Sequence, residues 1–295
     1  MSRIKKVFFV SVLITLLADN LFSVVGRDRM QILKFSPSPW ASAMADTTVS
    51  VRGNVNNMFY NPAGVFSFNS FDLSISYTSW FQALNFFNFA GKMKVGSIGD
   101  IGVGFVSLMY DDLLKVTEEN GVLVQTDEEV DLGDYFLAFN YSRNIGEKMF
   151  AGIQIKLANE KIERSTTSAG IDAGIVYVLT EKISAGISVL NIGIKDAPLI
   201  IKSGANYRLY FGKNGGLILS GELDKMGDSG VEVGIGGEAT LLNMFFVRTG
   251  YRIGEDSGAF RIGGGIKYKQ FQIDYSFNSY GELGNVNRIG FKMGI

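Results

Sequence analysis

The sequence predicts an all-β protein, a transmembrane antiparallel β-barrel of about 14 strands with an N-terminal hatch, or plug, inside its lumen. Three observations predict this fold. Apolar and polar residues alternate from residue 67 to the end, three of the four prolines lie in the short stretch before that, and the N-terminus is typical of a signal peptide.

Alternation with a period of two predicts strands that have one apolar and one polar or small face. The segments "FDLSISYT" at 71–78 and "FQIDYSFN" at 271–278 show it clearly. A strand that crosses an outer membrane needs about 9–11 residues, which these segments supply. The predicted strands cover 68–79, 84–95, 99–110, 133–145, 147–162, 165–179, 182–192, 199–210, 216–225, 229–240, 243–253, 258–268, 270–280 and 285–295.

Every second connection between these strands is short, and the others are more often longer, especially 111–132. Short periplasmic turns opposite longer outer loops are typical of bacterial outer-membrane barrels. An even strand number then predicts that both termini are periplasmic. The alternative is a large soluble sandwich, in which the apolar faces would pack on each other.

The first residues, "MSRIKKVFFVSVLITLLADNLFS", combine a basic start with an apolar run over 7–18. That run is too short to span a bilayer as a helix and has the length of a signal-peptide core. The alternative is a buried N-terminal helix. We therefore expect a signal peptide at 1–23, a hatch segment at 24–66 and the barrel at 67–295.

If the apolar faces point outward, the remaining residues of each strand face the lumen. They predict a wall that is apolar or small in the first half of the barrel and ionic in the second. The residues could line a path for an apolar or amphipathic solute, or they could make room for a plug and pair across strands. The apolar wall comprises Val106, Leu108, Val176, Val178 and Leu190. The ionic wall comprises Glu222, Glu232, Glu238, Arg248, Arg252, Arg261 and Lys267.

The hatch segment lacks strand alternation and ends in Asn61, Pro62, Ala63 and Gly64. Pro62 fixes its own φ and biases Asn61 towards an extended conformation. Because irregular backbone is tolerated at membrane depth only inside protein, the segment is expected inside the barrel, where these four residues would gate the lumen.

The small-residue run "ASAMADTTVSVRGNVNNMFYNPAGV" before the strands resembles FadL-like outer-membrane barrels. Together with the ending "DYSFNSYGELGNVNRIGFKMGI", it resembles more closely the PorV/PorQ branch and its uncharacterised relatives. Only Asp46 stands where that family usually has paired aspartates. The resemblance implies a passive transporter for hydrophobic small molecules similar to long-chain fatty acids. Alternatively, it implies a PorV-like accessory protein that binds secreted proteins for a secretion system.

Composition narrows the remaining function classes. The chain has no histidine and no cysteine, so imidazole bases, thiol nucleophiles and disulfides are excluded, and we expect no enzyme activity and no cofactor. Its net charge of −1 and lack of a basic stripe argue against nucleic acid. The expected partners are outer-membrane lipid, lipopolysaccharide, the outer-membrane assembly machinery and either a hydrophobic solute or a secreted protein.

Two of the predicted outer loops have distinctive compositions. Residues 111–134 form an acidic loop with a hairpin predicted at Asn120-Gly121. Its carboxylates could bind calcium or bridge lipopolysaccharide, or the loop could simply be solvated. No fixed ligand spacing occurs, so no metal site is assigned. The loop at 196–200, with Pro198, could dip over the mouth of the barrel.

Overall fold

Sixteen antiparallel strands are present in the computed structural model, which describes residues 30–80, 84–110, 114–119, 121–129, 132–161, 165–195, 197–227, 229–254 and 260–295. The strands are β1 (Phe71–Ser79), β2 (Leu84–Val95), β3 (Gly99–Tyr110), β4 (Leu114–Glu119), β5 (Val122–Glu129), β6 (Gly133–Ile145), β7 (Met149–Lys161), β8 (Ser165–Val178), β9 (Ile183–Ile192), β10 (Ile200–Phe211), β11 (Gly215–Met226), β12 (Val231–Leu241), β13 (Phe245–Ile253), β14 (Phe260–Tyr268), β15 (Phe271–Ser279) and β16 (Asn285–Gly294).

Fourteen of these strands form one closed barrel, in which each strand pairs with its sequence neighbours and β6 follows β3. β1 closes the ring on β16, with Asp72 opposite Gly294 and Ser79 opposite Asn287. The prediction of about 14 barrel strands is therefore confirmed. The predicted boundaries are correct to within three residues, because the period-two alternation continues to the ends of most strands.

The alternation separates an apolar outer surface from a polar or small inner one. In β15, Ile273 and Tyr275 are exposed, whereas Gln272, Asp274 and Ser276 are buried. This is the reverse of a soluble sandwich, in which the apolar face is the buried one, so that alternative is wrong for the described strands.

Short turns gather at one end of the barrel and the longer connections at the other. Residues 96–98, 146–148, 212–214 and 242–244 are three-residue turns. At the long-loop end, β4 and β5 form a separate hairpin around Gly121, whose φ of 79° suits glycine. This confirms the predicted hairpin, although Asn120 lies outside the described residues.

The irregular segment before β1 contains only short helices. A 3-10 helix covers Gln31–Lys34, an α-helix Pro39–Ala43, and two further 3-10 helices Val55–Phe59 and Pro62–Val65. A last 3-10 helix, Gly281–Leu283, precedes β16. Within the described residues, no helix has the length and apolar character needed to cross a bilayer.

The two ends of the described chain lie at opposite ends of the barrel. Ile295 exchanges backbone hydrogen bonds with Phe71 at the short-turn end. The backbone N–H of Met30 donates to Glu160 near the end of β7, at the long-loop end (2.7 Å). The predicted signal peptide and the N-terminus itself lie outside the described residues.

Candidate functional site

Residues 30–66, here called the N-terminal segment, occupy the barrel lumen. Almost all of them are buried, and the segment forms a hydrogen bond with or closely approaches an inward-facing residue on every barrel strand. One such residue per strand, in chain order, is Ser76, Asn88, Gly104, Asn140, Gly152, Gly174, Ser188, Asn206, Glu222, Glu238, Arg252, Arg261, Asn278 and Arg288. Contact with the whole circumference places the segment inside the ring.

Asn61 joins the segment to itself and to the wall. Its amide nitrogen donates to the carbonyl oxygens of Val49 (2.6 Å) and of Ile175 on β8 (3.2 Å), and its oxygen accepts from the N–H of Ala63 (3.0 Å). The residue is extended, with φ −153°, as the following Pro62 favours. One fully buried side chain thus caps the helix at Pro62–Val65 and holds it against the wall.

Glycines in the wall allow this close approach. A Cβ added at Gly152 on β7 would overlap the backbone of Pro62 and Ala63, and one at Gly174 on β8 would overlap the Asn61 side-chain oxygen. Glycine in a strand interior weakens the strand, so its use here is explained by the backbone that packs against it.

The ionic side of the lumen is a network of buried pairs. Lys202 on β10 contacts Glu222 (2.9 Å) and Asp224 (2.5 Å) on β11. Arg252 on β13 contacts the same Asp224 (2.7 Å) and Glu232 on β12 (3.0 Å). Charges buried this deeply are tolerated because each has a hydrogen-bonded partner of opposite sign.

A second group of pairs lies across β12–β15. Arg248 contacts Glu238 and Asp274, each at 2.6 Å, and Glu238 also accepts from the indole N–H of Trp40 (3.1 Å). The wall charges therefore pair across strands and at the same time hold the N-terminal segment.

The tightest link between segment and ionic wall is at Ala45 and Asp46. Both have left-handed backbone conformations, with φ of 53° and 59°, which cost free energy in residues with a Cβ. Arg252 donates to the Ala45 carbonyl oxygen (2.6 Å), and Arg261 and the Ser36 hydroxyl bind the Asp46 carboxylate. Burial alone would raise the pKa of Asp46, but the guanidinium groups of Arg261 and Arg252 and the Ser36 hydroxyl hold it below its usual range.

The apolar side of the lumen packs on the segment. Val106 and Leu108 belong to a buried cluster with Met58 and Phe59. Val176, with Val178 at its edge, packs on Ala63, Phe66 and Phe150. Of the five predicted apolar wall residues, Leu190 alone lines the lumen cavity described below.

The predicted ionic wall residues differ in how deeply they are buried. Glu222, Glu238, Arg248, Arg252 and Arg261 are buried, all but Arg248 bind the segment directly, and Glu232 is half-buried. Lys267 is exposed near the short-turn end and forms no ion pair with the described residues of either group. The alternation of β14 directs Lys267 towards the lumen, but it is the last residue but one of the strand, and its long side chain reaches solvent there.

The sequence prediction missed Lys202 and the role of Asp46. Lys202 follows two isoleucines, which hides the alternation, and only the strand register places it opposite Asp224. The pairing of Asp46 with Arg261 spans 215 residues and leaves no local signal.

A cavity of about 230 Å³ remains at the long-loop end, between the start of the segment and the wall. Apolar and aromatic side chains and several charged groups line it. Its lining includes Leu33, Phe35, Tyr60, Trp80, Leu190, Ile200, Lys202, Arg252, Arg261 and Arg288. The loop after β9 covers part of this end, where Ile194 packs in the cluster of Ile32 and Leu33 and Pro198 is buried.

No group of three or more acidic side chains that could hold a metal ion occurs among the described residues. Most side chains of the acidic loop at 111–134 lie outside them. Calcium binding by that loop therefore stays a possibility that only the sequence raises.

The barrel is similar in fold to solved structures of outer-membrane transporters. The toluene transporter TbuX of Ralstonia pickettii aligns with a TM-score of 0.59 and 12% identity, over 88% of this chain and 99% of that chain. The toluene transporter TodX of Pseudomonas putida gives 0.57 and 12%, over 85% and 95%. A FadL homologue of Pseudomonas aeruginosa gives 0.54 and 10%, over 88% and 95%.

At such low identity the likeness establishes the fold, a closed 14-stranded antiparallel barrel of the kind found in FadL-type transporters. No family model matches the sequence, and no curated protein matches it.

Proposed function

We propose that this chain is a bacterial outer-membrane barrel through which small hydrophobic molecules pass passively, with the N-terminal segment as its hatch. The observation that carries the proposal is a lumen filled by a segment that leaves an aromatic-lined cavity at the long-loop end. Two proteins that share the fold, TbuX and TodX, are toluene transporters.

The short turns and Ile295 are placed on the periplasmic side, and the long loops with the β4–β5 hairpin outside. A solute would enter the cavity beside Leu190 from the outside. Because the segment contacts every strand of the barrel, further passage requires the segment to shift. Val106, Leu108, Val176 and Val178 would then line the path that the segment had covered.

The helix that begins at Pro62 is the proposed pivot of the hatch. Asn61 to Gly64 are buried, but residues 66–70 separate them from β1 and give the chain a short linker. The apolar outer faces would contact membrane lipid, and lipopolysaccharide would surround the long-loop end. The alternating C-terminal strand β16 is the proposed signal for the assembly machinery. We propose no catalytic role.

Uptake by whole cells tests the proposal. The chain would be expressed in a Gram-negative host that lacks its own hydrocarbon and fatty-acid channels, and radiolabelled toluene and oleate would be supplied outside. The expected result is faster uptake of at least one of them than in cells with an equal amount of an unrelated closed barrel. The proposal would be contradicted if, for both solutes, uptake by these cells were no faster than uptake by the control cells.

A second candidate function, that of a PorV-like accessory protein that binds secreted proteins, is favoured by one observation. The lumen is filled, while the β4–β5 hairpin stands apart from the barrel as a separate sheet. Under this alternative, deletion of residues 114–129 would abolish co-purification of secreted proteins from the native host without changing uptake. The PorV/PorQ relationship itself rests on the sequence resemblance.

A further inference from the structure

The cavity at the long-loop end contains a buried cation that the ion-pair networks do not use. Arg288 on β16 is 1% exposed and lines the cavity. Within the described part of the chain, no carboxylate oxygen lies within 4.0 Å of its guanidinium group. A buried cation without a counter-charge is costly, so its retention here needs a reason.

The described partners of Arg288 satisfy only part of its guanidinium group. Its Nε donates to the Ser36 carbonyl oxygen (3.1 Å). In the amide orientation that satisfies Asn278, the oxygen of that residue accepts from Nη1 (3.3 Å). Among the described residues Nη2 has no acceptor, and the acceptors of Nε and Nη1 are both uncharged.

Aromatic rings surround this guanidinium group. It lies over the rings of Phe35 (5.5 Å to the centroid) and Trp80 (5.4 Å), which meet edge to face at 5.1 Å. Trp80 also contacts the ring of Tyr280 at 5.4 Å. The rings and Leu33 and Ile200 give the cavity an apolar part beside its cation.

The carboxylates that line the cavity are already paired. Asp46 is bound by Arg261, Asp224 by Lys202 and Arg252, and Glu232 by Arg252. The charge that the cavity lacks is therefore negative. Its volume of about 230 Å³ is below the range of roughly 300–1,000 Å³ that is usual for pockets of drug-sized ligands.

We propose that this cavity binds a small aromatic carboxylate, with the carboxylate on Arg288 and the ring among Phe35, Trp80 and Leu33. A planar carboxylate matches the guanidinium fork, and the rings match a single aromatic ring. A neutral hydrocarbon offers the guanidinium group no acceptor, and a long acyl chain exceeds the volume of about 230 Å³. The inference rests on the proposed function, because it names the solute that would wait in the cavity.

The test is equilibrium dialysis of the barrel in lipid nanodiscs with ring-labelled benzoate and, separately, toluene, with protein-free nanodiscs as the blank. We expect benzoate to bind, and Arg288→Gln to weaken it by roughly 10- to 100-fold, the effect of losing a charge-assisted hydrogen bond. Arg288→Lys keeps the charge without the fork and should be intermediate. Arg143→Gln, at an exposed arginine of the short-turn end, should have no effect.

If Arg288→Gln does not fold, Leu33→Trp fills the cavity from the segment and should remove benzoate binding instead. Benzoate binding that is unchanged in Arg288→Gln or in Leu33→Trp would overturn the inference. Binding of toluene without benzoate would overturn it while leaving the proposed function intact. Binding of neither ligand would count against the inference, and the separate uptake assay would then decide the proposed function.

Discussion

Replacing Asn61 with aspartate is the sharpest test of how the N-terminal segment is held. Aspartate keeps the size of asparagine and the oxygen that caps the Ala63 N–H, but it loses the amide donor to Val49 and Ile175. At pH 8 the substitution should therefore remove the link between segment and wall and leave the helix cap in place.

The expected magnitude follows from the two carbonyl oxygens that lose their donor. Each buried acceptor left without a partner costs about 1–3 kcal/mol, so for the two acceptors we expect a local loss of about 2–6 kcal/mol. Hydrogen exchange followed by mass spectrometry measures it directly, because local opening sets the exchange rate. Peptides from 47–66 should exchange roughly 30- to 25,000-fold faster than in the wild type.

Asn144→Asp, at an exposed position of the short-turn end, is the matched control and should leave exchange unchanged. Migration of unheated protein in SDS gels would show whether the barrel itself is folded. If Asn61→Asp exchanges within threefold of the wild type in a folded barrel, Asn61 does not hold the segment and the reasoning fails.

Two further predictions concern the same contact surface. Gly152→Ala places a methyl group against the segment backbone and should destabilise the segment by about 1–3 kcal/mol. Proteases should then cleave faster within 38–66. The control Gly133→Ala, which has open space around its Cβ, should leave the cleavage rate unchanged. Asp46→Asn should destabilise the segment at neutral pH. Because the folded pKa of Asp46 is lowered, its contribution is complete above about pH 4 and is lost as the pH falls further, so exchange of wild type and variant should converge in strong acid. Arg261→Gln removes the main partner of Asp46 and should reduce this acid response; an Arg261→Gln variant that responds to acid as the wild type does would contradict that pairing.

Much of the barrel could be predicted because strand alternation is a local signal. Each strand repeats an apolar outer and a polar inner residue, as in β15, and a shift of one residue would reverse every side chain. The motif from Asn61 to Gly64 was also informative, because Pro62 acts only on its neighbours and the extended conformation of Asn61 agrees with the prediction.

The contents of the lumen could not be predicted to the same degree. Contacts such as Asp46 with Arg261 or Ser42 with Asn278 join residues more than 200 positions apart. Their partners depend on how a helix-poor segment runs between strands, for which no periodicity exists. For this reason the inward side of each strand could be predicted, whereas the choice between a solute path and packing on a plug stayed open until the position of the segment was known.

The central claim is that solute passes through the lumen when the N-terminal segment shifts. The chain has no cysteine, so a Ser42→Cys, Asn278→Cys pair can form only its own disulfide within the molecule, at a place where the two side chains now meet at 3.0 Å. Uptake of toluene, or of oleate if that is the solute that the chain takes up, should fall to background when this pair is oxidised, return on reduction, and stay unchanged in either single-cysteine variant. Equal uptake in the oxidised and reduced states would show that solute moves without displacing the segment there, and would contradict the account.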